Sequence, residues 1–208
     1  YPLWVERFAG RFDDGRPFVS SFNAQGGQGA RFDQDGIATT VFPANVASTS
    51  IELFEVETPV LCERKVLITD SGGPGRQRGG LGQEVVLRNL ATADALVSMS
   101  GGRFHVAAPG MDGGGEGTLG EICMDGGPPE QRRRQGLLPL ERAVSFKYPG
   151  GGGYGPAHKR SPASVLRDVQ LGYVSAESAQ ADYLVVLSRD GTTIDEAATR
   201  NLRERLAD

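Results

Sequence analysis

Apolar and polar residues alternate along residues 50–68, SIELFEVETPVLCERKVLI, with Ile51, Leu53 and Phe54, Val56, then Val60 and Cys62, and Val66 and Ile68 as the apolar positions. Period two in a run rich in Val, Ile and Leu predicts half-buried strands, and Pro59 divides the run in two. Residues 38–45, ATTVFPAN, are β-branched and predict another strand that ends near Pro43. Residues 82–100, GQEVVLRNLATADALVSMS, predict a hairpin that turns at Ala93 and Asp94. LGEICMDG and AVSFKYPG add two short strands, each running into glycine. The apolar and aromatic opening, YPLWVERF, needs something to pack against and lacks an initiator Met, so it reads as a piece of a larger polypeptide or a processed chain. Up to Gly155 no apolar stripe of helical period appears, so the first three quarters are predicted to be mostly β.

The period changes after that point. Ser161 is placed to cap a helix with Pro162 at its first position, Val165, Leu166 and Val169 on one face, and Gly172 as its stop. Ser175 starts a second short helix over residues 176–183. YLVVLSRDG follows as a strand with its turn at Asp190 and Gly191, and a last helix is capped by Thr193, with Glu196 at its third position. The fold class is α+β, predominantly β: an antiparallel or mixed β body over residues 1–155, and a small helical and strand appendage over 156–208.

Composition narrows the chemistry. The formal charge of −4 over 208 residues argues against a nucleic-acid or anionic-membrane surface. QRRRQ at 131–135 is a short basic cluster, more ordinarily a solvated loop than a polyanion site. No apolar run approaches the ~20 residues that span a bilayer, and no secretory signal opens the chain. Cys62 and Cys123 lack metal-ligand spacing and read as reduced thiols of a cytoplasmic protein. Glycine, 30 of 208, is about twice its usual ~7% and falls in clusters between strands.

The densest cluster, TDSGGPGRQRGGLGQE at 69–84, has no Lys-Ser/Thr ending for a phosphate loop and is followed by a strand rather than a helix. It reads as a turn carrying Arg76, Gln77 and Arg78 out of the sheet, toward an anionic ligand, a neighbouring subunit or an internal acid. Asp33 and Asp35 sit before Gly36 as turn formers or as carboxylates facing a pocket. His105 and His158 have no ligand partners at useful spacing. PGGGGYGP at 149–156 is a loop with positive-φ or closely approached residues, and Tyr154 either packs there or covers a crevice. Asp35, Asp70, Arg78 and His105, in or beside the glycine loops, are the candidate pocket residues.

Four motifs in this order, GGQGARFDQDGIATTVFPANVASTSIELFEVETPVL, DSGGPGRQRGGLGQE, PGGGGYG and VLRDVQLGYVSAESAQADYLVVL, resemble the C-terminal part of the hydantoinase B/oxoprolinase family. The chain departs from that pattern where Gly155 runs straight into Pro156 and where Leu184 replaces a glycine. The resemblance implies a B-type subunit of an ATP-dependent enzyme that opens a cyclic amide or imide. Its partners would be a hydantoinase A-type subunit and the N-terminal half of the B-type subunit, in a hetero-oligomer. ATP and Mg would bind the A-type partner and a divalent metal the N-terminal half, with no cofactor bound by this chain alone. On that reading the isolated chain is inactive. An ATP-dependent ketone carboxylase of the acetone or acetophenone type, and a non-catalytic assembly domain, are the alternatives.

Overall fold

The protein, as a computed structural model, is described over residues 4–40, 46–132 and 134–205. The described residues form strands β1 (Trp4–Arg11), β2 (Pro17–Ala24), β3 (Val60–Leu67), β4 (Gln83–Asn89), β5 (Ala95–Ser100), β6 (Glu121–Met124), β7 (Arg134–Leu138) and β8 (Ala143–Lys147). Helix α1 (Ile51–Glu57) lies between β2 and β3, and α2 (Pro162–Gln170), α3 (Ala176–Ala181) and α4 (Glu196–Glu204) close the chain. Two four-stranded antiparallel sheets result, ordered β2-β1-β5-β7 and β3-β4-β8-β6. One buried cluster draws Phe8, Phe22, Val97 and Leu138 from the first sheet and Val85, Leu87, Val144 and Phe146 from the second. The sheets therefore pack face to face. The predominantly β class holds, with a small helical part. Among the described residues no helix is long and apolar enough to cross a membrane.

Alternation produced the strands where it was strict: every second residue of β4, from Gln83 to Asn89, is buried. The strand expected over residues 50–57 is instead α1, so the first three quarters are not free of helix. Ser50 caps it, its hydroxyl accepting from the Leu53 N–H at 3.3 Å. Only Phe54 is buried, in edge contact with Phe8 and Phe22 at 5.5 and 5.1 Å. Leu53 and Val56, which completed the apparent alternation, face solvent. The expected 82–100 hairpin is also absent: β4 and β5 lie in different sheets. Buried Asn89 shapes the crossing, donating to the carbonyls of Ala93 and Leu138 and accepting from the Ala91 N–H, each at 3.0 Å. No strand forms over residues 38–40, where Thr39 is left-handed at φ 48°; the rest of that expected strand lies outside the described residues.

A glycine layer adjoins one end of the sandwich. Its segments bond to one another through the backbone: Gly27 N–H to Pro149 O (2.9 Å), Ala30 N–H to Gly152 O (2.8 Å), Gly73 N–H to Gly151 O (2.8 Å) and Gly80 N–H to Gln28 O (2.8 Å). The segments lie too close for side chains. A Cβ on Gly27 would stand 1.7 Å from Gly80 O, and one on Gly150 1.7 Å from Ser71 O. Within the 149–156 loop, close approach rather than backbone conformation is the main demand, since only Gly155 has positive φ.

The helical end has its own small core of Val165, Val174, Ala179, Tyr183 and Val185. Here α2 starts at the expected Ser161 cap, and Gly172 follows it at φ 73°. The expected strand over 183–191 is reduced to one bridge, Leu187 to Ile194, because Leu184 turns left-handed at φ 54°. The cap of α4 is Asp195 rather than Thr193, its carboxylate accepting from the Ala198 N–H at 2.9 Å. That places Glu196 at the first helical position, not the third.

Candidate functional site

The helical end meets the glycine layer through a knot of arginines and aspartates. Arg160, just before the α2 cap, forks onto both oxygens of Asp35, each at 2.7 Å, and also donates to Asp168 at 2.8 Å. Asp35 comes from the loop after the first glycine cluster and is fixed by the Arg78 N–H at 2.7 Å. Asp168 projects from the buried face of α2 beside Val165 and receives Arg78 Nε at 3.4 Å. Arg78 donates as well to its neighbour Gly79 O at 2.6 Å, and its guanidinium lies over the Tyr173 ring, 5.2 Å from the centroid. Arg78, Arg160 and Asp168 are almost wholly buried, and Asp35 keeps partial exposure.

The electrostatics follow from that geometry. Burial alone would raise the Asp35 carboxyl, but the hydrogen bonds and charge of Arg160, with help from Arg78, hold it below the usual carboxylate range. Burial likewise opposes the Arg160 charge, yet Asp35 and Asp168 leave this guanidinium more basic than usual. Beside the knot a crevice of about 270 Å³ opens, lined by Arg78, Arg160, Ser164, Arg167 and Tyr173 among others.

Two of the four sequence candidates, Asp35 and Arg78, thus come together. Arg78 points inward to an acid rather than out of the sheet, and only Arg76 stays on the surface, donating to Phe32 O at 3.0 Å. Asp70 stands apart from them as a hinge to the helical end. It is left-handed at φ 59°, its N–H bonds Tyr173 O at 3.1 Å and its carboxylate accepts from the Ser175 N–H at 2.8 Å. His105 lies elsewhere, exposed in a larger crevice of about 570 Å³ with Glu116, Thr118, Glu121 and Lys147. There Lys147 pairs with Glu121 at 3.1 Å. Arg160 and Asp168 were not among the candidates. The legible signal was Asp168, a carboxylate on the apolar face of α2, which requires a cation.

The donor sets also say what the segment can hold. The N–H groups of Gly73, Gly79, Gly80 and Gly82 are spent on other residues of the chain, so residues 69–84 do not fit a phosphate cradle. Among the described residues no group of three or more His, Cys, Asp or Glu side chains could hold a metal.

The two-sheet body with its glycine layer and helical end is a known architecture. The chain belongs to the hydantoinase B/oxoprolinase family, whose pattern matches residues 4–157. It is 40% identical over 163 residues to the beta subunit of caprolactamase from Pseudomonas jessenii, covering 73% of this chain and 27% of that one. It is 31% identical over 188 residues to the B-type subunit of a putative D-/L-hydantoinase from Pseudomonas sp. (strain NS671), covering 86% and 31%. The crystal structure of ATP-dependent caprolactamase from Pseudomonas jessenii superposes with a TM-score of 0.80 at 29% identity, over 97% of this chain and 38% of that one. An acetone carboxylase structure shares the fold, with a TM-score of 0.77 at 20% identity over 99% of this chain and 32% of that one. The chain thus spans about a third of the length of its relatives, and the structural likeness extends through the helical end.

Proposed function

We propose that this chain is the C-terminal part of the B-type subunit of an ATP-dependent enzyme that opens a cyclic amide or imide. The observation that carries the reading is the 40% identity to the caprolactamase beta subunit, joined to a likeness with ATP-dependent caprolactamase that runs over nearly the whole chain. ATP and Mg would be held by an A-type partner, and a divalent metal by the N-terminal half of the B-type subunit. The bound ATP would supply phosphoryl activation of the ring amide. The contribution of this segment is architectural: the glycine layer forms a rigid wall, and the Arg–Asp knot fixes residues 156–208 against the body of residues 1–155. Asp35 and Arg78 are positioning residues on this reading.

The test is ATP consumption by the intact complex. Release of inorganic phosphate is expected with a lactam, hydantoin or 5-oxoproline as substrate. Phosphate release only with a ketone plus bicarbonate would replace the reading with a carboxylase. Turnover of a ring amide by the isolated 208-residue chain would overturn the proposed division of labour.

A further inference from the structure

We infer that the crevice between α2 and the glycine layer binds a small oxyanion, a carboxylate or a phosphate, with Arg167 as its principal cationic contact. Three guanidiniums, of Arg78, Arg160 and Arg167, line the crevice against two carboxylates, Asp35 and Asp168, so one positive charge is left over. Both carboxylates are already engaged: Asp35 gives both oxygens to Arg160, and Asp168 Oδ2 is shared by Arg160 and Arg78. The Arg167 side chain, exposed on α2, has no hydrogen bond or ion pair among the described residues.

Ser164 stands three residues before it, on the same side of the helix. The Ser164 hydroxyl accepts from Ser161 Oγ at 2.7 Å, which leaves its own proton to donate. An uncommitted guanidinium fork and a free hydroxyl proton form a donor set suited to an oxyanion. The stacked Arg78 guanidinium gives the crevice a positive wall held in place by Tyr173. At about 270 Å³ the space falls just under the ~300–1,000 Å³ usual for drug-sized ligands, and a single oxyanion suits it better than a nucleotide. The inference is independent of which reaction the whole enzyme performs.

Phenylglyoxal labelling of the intact protein, with peptide mass mapping of Arg167, tests it at one residue. Inorganic phosphate and acetate are supplied in separate arms, at an ionic strength matched with sodium chloride. Saturable protection of Arg167 in the phosphate arm assigns a phosphoryl occupant, and in the acetate arm a carboxylate; both support the site. Equal labelling in both arms and in chloride overturns it, and so does an Arg167 that never reacts, because the crevice is then closed to small ligands. Calorimetric titration of Arg167→Ala with the protecting anion gives a second readout. Its affinity is expected to fall about tenfold or more, as for loss of one charge-assisted contact, with the melting temperature unchanged. An unaltered affinity overturns the assignment.

Discussion

A carboxylate on the buried face of a helix is tolerated only where cations meet it, and Asp168 meets two. Asp168→Asn keeps the shape but takes from the Arg78 guanidinium its carboxylate partner and leaves Arg160 with Asp35. Breaking a buried pair costs about 3–5 kcal/mol, so a lower urea midpoint is expected, with hydrogen-exchange protection lost first in α2. An unchanged midpoint would show that the knot contributes no net stability. Asp35 adds a pH dependence of defined sign. Its folded pKa lies below the unfolded value of about 3.9. Its stabilisation is therefore complete above that value and lost as pH falls through the lower folded one. Protection of the helical end should drop below about pH 4, and Asp35→Asn should remove that step.

Glu6 has the opposite sign. It is fully buried, and among the described residues only the Tyr148 hydroxyl, at 3.1 Å, is its side-chain partner. Burial pushes its carboxyl well above the usual range, against the effect of the Tyr148 hydrogen bond. Above about pH 4.3 the unfolded chain releases this proton while the folded chain retains it, so stability declines as pH rises toward the folded pKa. Glu6→Gln, of nearly the same shape, should flatten that decline and unfold at higher urea than the parent at pH 8. A steeper or unaltered pH profile would count against a neutral Glu6.

At the scale of elements, the glycine layer gives a controlled comparison. Gly150→Ala places a methyl against the Ser71 carbonyl, a backbone atom that cannot rotate away. The expected loss is about 3 kcal/mol or more, the upper end of overpacking costs. Gly126→Ala meets open space and bears only the strain of φ 69°, about 1–2 kcal/mol. Thermal melts of the two variants should separate them by that difference, and equal losses would mean the layer yields. The same contrast shows what could be read from residues alone. β4, β5, β8 and α2 were legible because alternation, or the Ser161–Pro162 cap, set each one locally, and β6 because its short apolar run ends at a glycine turn. α1 was misread because Ile51 and Leu53, then Phe54 and Val56, each sit two residues apart, while the helix buries only Phe54 of the four. β1, β2 and β7 were not assigned as strands. Phe8, Phe18 and Phe22, with Gly15 at the turn, carried the signal for the β1–β2 pair. The contact of Arg160 with Asp35 joins residues 125 positions apart, which no local pattern could disclose.

At the scale of the whole molecule, the sandwich and the helical end have separate apolar clusters, linked by polar contacts that include the knot and Asp70. The glycine layer also bears on how the chain folds. Its hydrogen bonds tie residue 27 to 149, 30 to 152 and 73 to 151. Contacts of such sequence separation carry the largest loop-closure entropy and are the slowest to form. If the layer is a keystone, set after the two sheets have met, it is absent from the folding transition state. Stopped-flow chevrons of Gly150→Ala should show an accelerated unfolding limb and an almost unaltered refolding limb. The residues with no side chains at all would then govern how long the folded state lasts rather than how fast it is reached.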